Sequence, residues 1–180
     1  MAVIEAIKTT YLEADASSVT FSSIPQTYKH LQIRGSFQDH NATNSANNFT
    51  ISGYVNNDNN YSRYSTHSLR GFGTASTVHQ STGWIQTGYC GAEPDIPSYA
   101  CVIIDIHDYT ATNKKTVIVG LSGYVGTVNN AGLHSNLWHT ASPSGPSTAV
   151  DGAVDQIVIN SPGGAGLLRG SCFTLYGIND

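Results

Sequence analysis

Apolar and polar positions alternate with a period of two through much of this chain. In "HLQIRGSF", Leu31, Ile33 and Phe37 fall on one side and His30, Gln32, Arg34 and Ser36 on the other. A strand turns successive side chains to opposite faces, so this spacing predicts a half-buried strand. "TVIVGL" aligns Val117, Val119 and Leu121 in the same way. "FTISGYV", "YACVIIDI", "DQIVIN" and "SCFTLYGI" are rich in β-branched and aromatic residues and end at Asn, Asp, Ser, Gly or Pro. Helical spacing is nearly absent. Roughly eight to ten strand-like segments, separated by turn signals such as "NNDNN", "ATNKK", "VNNAG" and "SPGG", predict an all-β antiparallel sandwich or barrel. The whole chain, 1–180, reads as a single domain. Residues 38–48 and 56–68 read as long polar loops, and 140–150, "TASPSGPSTAV", as a Ser/Pro loop.

Composition narrows the function classes. Charged residues are 11% of the chain, against about 25% ordinarily, so Ser, Thr and Asn must supply the polar surface. With 8 Lys+Arg, a net charge of -4 and one Lys pair, Lys114–Lys115, nothing clusters positive charge for a phosphate backbone, and no nucleic-acid partner is expected. "MAVIEAIKTTYLEAD" has no signal-peptide pattern, and no apolar run approaches the ~20 residues that span a bilayer, so no membrane partner is expected. Cys90, Cys101 and Cys172 form no C-x-x-C pair; Cys101 and Cys172 lie in apolar runs and read as small buried hydrophobes. Asn41, Asn48 and Asn60 each begin an N-x-[ST] triplet, read as chance in a chain this rich in Asn, Ser and Thr.

The strongest catalytic candidate is "CVIIDIHDYTATNKK", 101–115. Asp105 and His107 share a strand face and could move a proton or hold a metal. A metal site needs three or four ligands, and no H-x-H, H-E-x-x-H or second acid–histidine cluster completes one. The competing reading places Val102, Ile104 and Ile106 in the core, Asp105 and His107 outside, and Asp108 at the start of a turn that its carboxylate caps. "SPGGAGLLRG", 161–170, follows a strand but opens no helix, so it reads as a hairpin connection between the last two strands and not as a nucleotide loop. "GLSG", 120–123, is followed by Tyr124 and lacks the nucleophile elbow's last glycine. No catalytic, cofactor-binding or metal residue is assigned. Tyr54, Tyr61, Tyr64 and Trp84 lie in or near polar loops, where aromatic rings could stack on a glycan or anchor a protein partner. Phe72 shares that setting.

Four stretches carry a resemblance: "SSVTFSSIPQTYKHLQIRG" at 17–35, "VIIDIHDYTATNKKTVIVGL" at 102–121, "AVDQIVINSPGG" at 153–164 and "RGSCFTLYGI" at 169–178. Together they resemble small virion structural proteins of tailed bacteriophages. That resemblance implies a jelly-roll-like β-sandwich serving as a capsid-decoration, fibre or spike subunit. It also implies a homotrimer on the particle, assembled in the host cytoplasm beside capsid or tail proteins. Asp105, Asp108 and Tyr109 fall on its "I-D-I-x-D-Y" pattern, which it implies to be a strand-end and turn feature without catalytic role. Residues 38–100 match none of its motifs, and a specific partner would be read there.

The expected function is therefore a non-enzymatic, cofactor-free virion structural protein. A carbohydrate-binding receptor-recognition module using Tyr54, Tyr61, Tyr64 or Trp84 is the runner-up. A metal-dependent hydrolase using Asp105 and His107 is the third reading.

Overall fold

A computed structural model describes residues 3–39, 49–72, 74–82, 86–90, 99–125, 131–140, 152–161 and 166–179. Among them are twelve strands: β1 (Val3–Tyr11), β2 (Ser18–Phe21), β3 (His30–Phe37), β4 (Phe49–Val55), β5 (Tyr64–Phe72), β6 (Ala75–Thr82), β7 (Gln86–Cys90), β8 (Ala100–His107), β9 (Val117–Val125), β10 (Ala131–Thr140), β11 (Ile157–Asn160) and β12 (Cys172–Asn179). One short 3-10 turn, Tyr61–Arg63, precedes β5. The expected all-β antiparallel sandwich is present.

The strands pair as an eight-stranded sheet, β1-β12-β3-β8-β9-β10-β5-β6, and a four-stranded sheet, β2-β11-β4-β7. The set β1-β12-β3-β8 facing β2-β11-β4-β7 has the strand order of a jelly roll, in which every connection but that from β4 to β7 crosses from one sheet to the other. The other four strands enter as two hairpin insertions. β5–β6 lies between β4 and β7, and β9–β10 between β8 and β11; both extend the larger sheet beyond β8.

The jelly-roll part follows its alternation. Leu31, Ile33, Phe37, Ile104, Ile106, Phe173 and Leu175 point inward against Phe21, Ile51, Val55, Ile157 and Ile159 of the smaller sheet, all nearly inaccessible. Phe37 and Phe173 stack across adjacent strands at 5.9 Å. Gly35 is required there, because a Cβ would lie 2.4 Å from the Phe173 ring. Val102, Ile104 and Ile106 face in while Asp105 is half-buried and His107 exposed, as the alternation of β8 predicts.

The extension has the opposite polarity. Val117, Val119 and Leu121 do share a face, but it is the outer one; Ile118, Gly120, Ser122 and Tyr124 face in. The cross-strand row Arg34–Ile103–Leu121–Ser135–Leu69–Val78 runs along the outside. A neighbouring inner row passes from Val102 through Ser122 and His134 to Arg70. β7 covers this inner side, with Gly88 close to both Val102 and Ser122.

Four sequence expectations need correction. There are more strands than eight to ten, because β5 and β6 are built largely from Ser, Thr, His and Gln and carry no clear apolar alternation. The 56–68 stretch is not one long loop, since β5 begins at Tyr64. β11 and β12 are not a hairpin: β11 pairs with β2 and β4, and β12 with β1 and β3. The segment 161–170 thus crosses between sheets, and its described end is held by reciprocal Leu167–Ala16 backbone bonds of 2.7 and 2.9 Å. Finally, Cys101 is exposed and Cys172 half-buried. Both oppose Ser36, one on each side of β3, so about 10 Å of sheet separates their backbones, beyond the ~7 Å limit for a disulfide. Of the expected 140–150 loop, Thr140 ends β10, while 141–150, Cys90's side chain and most of 38–48 lie outside the described residues.

Candidate functional site

The "IDIHDYT" segment is a strand end bound into a turn. Asp105 accepts a 2.7 Å bond from Gln32 Nε2, and Gln32 Oε1 accepts another of 2.7 Å from Arg34 Nε. His107 meets His30 edge-on at 5.0 Å. Asp108 has φ 48°, a left-handed position that Asp tolerates well. Its N–H donates to His30 Nδ1 at 3.0 Å, and its carboxylate pairs with Lys114. The Lys114 ammonium holds the Asp108 carboxyl below the usual carboxylate range. Tyr109 is buried; its hydroxyl donates to Pro25 O, and its carbonyl accepts from Val154 N at 2.7 Å. Asp105 and His107 are brought to one face, but each is engaged with a different neighbour on β3. Among the described residues, no group of three or more His, Cys, Asp or Glu is placed to hold a metal.

Of the aromatic candidates, the two whose side chains are described, Tyr54 and Tyr64, offer no exposed ring face. Tyr64 is fully buried and donates its hydroxyl to Asp58 O at 2.5 Å, which corrects the expectation that it offers a contact face. Burial raises its pKa above the ordinary tyrosine value. Asp58 is buried too: Arg63 Nη1 approaches it at 2.6 Å and Asn60 N donates to it at 3.0 Å, so the "NNDNN" stretch is a packed turn. Tyr54 is half-buried against the core. The side chains of Tyr61, Phe72 and Trp84 lie outside the described residues. At the same end, Ser22, Ser23, Asn56, Asn57, Asp155 and Gln156 line an open polar cleft of about 290 Å³. Asn56 is occupied in holding the loops together, accepting from Asp155 N at 3.0 Å and donating to Ala153 O at 2.8 Å.

The feature that sequence reasoning missed is the outer face of the extension. Ile103, Val117, Val119, Leu121, Val125, Leu133, Leu137, Leu69 and Val78 are all exposed on that side, from 37% for Val119 to 80% for Val78. Spread over five adjacent strands, these nine side chains form an exposed apolar face on the order of several hundred Å². The largest apolar patch on a typical monomer is about 300–600 Å², and one partner contributes about 800 Å² to a standard interface. Arg34, Asp105 and His107 border it on the β3–β8 side; the rows beyond are apolar, Ser, Gly, His or Gln. The alternation in "TVIVGL" puts Val117, Val119 and Leu121 on one side of a strand without saying which side of the sheet that is, and β5 and β6 carry too little apolar alternation to mark theirs.

No family model, curated protein or solved structure matches the chain.

Proposed function

We propose that the protein is a non-enzymatic structural subunit of a phage virion, acting as a capsid-decoration, fibre or spike component. It packs against copies of itself through the outer face of β9, β10, β5 and β6, and the assembly is a homotrimer. The apolar area of that face carries the reading. A soluble chain keeps so large an apolar surface open at a cost in solubility, and covering it removes that cost. The near absence of charge on it also means that little is desolvated when like subunits meet. The resemblance of residues 17–35, 102–121, 153–164 and 169–178 to virion proteins supports the placement on a particle.

Two measurements test the two parts. Light scattering should return a mass that is a multiple of three 19.1 kDa subunits. Leu133→Ser with Leu137→Ser should break that three-fold assembly while leaving the circular dichroism spectrum unchanged; an unaltered mass would overturn the face as the contact. Mass spectrometry of heads and tails separated from purified particles should find the chain in one of them, and its absence from both would overturn the virion role.

A further inference from the structure

Sheet edges expose unpaired backbone groups, and proteins normally blunt them with charge, proline, bulges or short length. Three of this sandwich's four edges are treated so. β1 carries Glu5 and Lys8 and a register shift between Ala6 and Lys8. β2 has only four residues. β7 has five, and its pairing with β4 shifts between Ile51 and Ser52. β6, the other end of the eight-stranded sheet, is different. It runs eight residues, "ASTVHQST", with no charge and no proline, in unbroken register with β5 from Phe72–Ala75 to Ser65–Thr82. Residues 75–80 are all exposed, and among the described residues no strand lies beyond them.

We infer that β6 pairs with β6 of a second copy of this chain, antiparallel, about a two-fold axis perpendicular to the sheet. This contact is separate from the outer face and goes beyond the proposed function. The His79 carbonyl is turned toward β5, where the Ser68 hydroxyl donates to it at 3.5 Å. Backbone groups alternate sides along a strand, so the N–H and C=O of Ser76, Val78 and Gln80 point away from the sheet. Centring the pair on Val78 lets these residues exchange bonds, with Ser76 opposite Gln80 of the other copy and the two Val78 side chains side by side. β-branched cross-strand pairs of this kind are favourable. A second copy is the fitting occupant for three reasons. The edge is uncharged, so like chains meet without repulsion. The strand's Thr and Val content suits pairing with itself. The perpendicular two-fold also keeps both apolar outer faces on one side, so Leu69 and Val78 continue into their counterparts. Val78, at 80% the most exposed large apolar residue among the described residues, gains an apolar neighbour at its side.

The test uses the full chain in the Leu133→Ser/Leu137→Ser background, which removes the outer-face contact. Sedimentation should show a mass near twice 19.1 kDa. Adding Ser76→Lys and Gln80→Lys places like charges opposite each other, and the dimer should dissociate to single subunits, with affinity down at least tenfold. Mixing that chain one-to-one with a Ser76→Glu/Gln80→Glu chain should restore the doubled mass. Unchanged melting curves show that each variant folds. A single-subunit mass before the edge is altered, as when another segment of the same chain covers β6, overturns the inference and leaves the outer-face contact standing. A doubled mass indifferent to both charge pairs overturns it too.

Discussion

The ring of Tyr28 lies over Gly177, close enough that a Cβ on residue 177 would stand 2.3 Å from Tyr28 Cγ. The relationship joins two distant motifs, "TYKH" and "LYGI", at one end of the larger sheet. Tyr28 also donates its hydroxyl to Glu5 at 2.9 Å, and Lys29 N bonds Ile178 O at 3.0 Å, so three chain segments meet there. Gly177→Ala should force the ring away and cost about 1–3 kcal/mol, as overpacking does. Denaturant melts of Gly177→Ala, Tyr28→Ala and the double variant check it. The two losses should be strongly non-additive, since removing the ring makes room for the methyl group.

His134 sets a pH dependence. It is fully buried, and burial, followed by Arg70 and His79, lowers its pKa to about 4. The unfolded chain holds its histidines near the ordinary value of about 6.5. Between those values the unfolded state binds the extra proton, so stability is present above about pH 6.5 and is lost as pH falls toward 4. The slope should approach about 1.4 kcal/mol per pH unit within that window. Urea midpoints at pH 7, 5.5 and 4.5 measure it, and His134→Gln should flatten the profile.

Within the "IDIHDY" stretch, the tyrosine should matter more than the acid and the imidazole. Asp105→Asn with His107→Ala keeps an acceptor for Gln32 and trims an exposed ring, so the loss should stay within about 1 kcal/mol. Tyr109→Phe removes the donor to Pro25 O from a buried ring and should cost about 1–3 kcal/mol. Equal losses in the two variants, read from thermal melts, would contradict this ordering.

Deleting residues 172–180 should abolish folding. β12 is an interior strand, between β1 and β3, and it buries Phe173 and Leu175 almost completely. Those two side chains alone contribute roughly 3–6 kcal/mol, against a typical net stability of about 5–15 kcal/mol. Removal also strips β1 and β3 of their shared ladder. A soluble truncation with a cooperative melt would show that the sheet closes without β12.

The alternation in "HLQIRGSF" and "CVIIDIH" was enough to place Leu31, Ile33, Ile104 and Ile106 inside and Asp105 and His107 outside. A strand's two-residue period is local, and these segments have one clearly apolar side. The same period in "TVIVGL" aligned Val117, Val119 and Leu121 but did not say which side of the sheet they occupy. That depended on β7 lying against Ser122 and on β10 and β5 continuing the sheet, contacts made by residues far apart in sequence. Tyr64 looked like a loop aromatic because Asn, Asp and Arg surround it; only the folded turn, with Asp58 beneath it, buries it. The sequence by itself determined the strand-rich character, the turn at Asp108 and the inward set of the jelly-roll strands, because those rest on local spacing and backbone preference. Tertiary structure alone decided the pairing of β11 with β2 and β4, the apolar outer face and the bare edge at β6. Each of these is a statement about which distant strands are neighbours, and nothing in a strand's own residues encodes its neighbours.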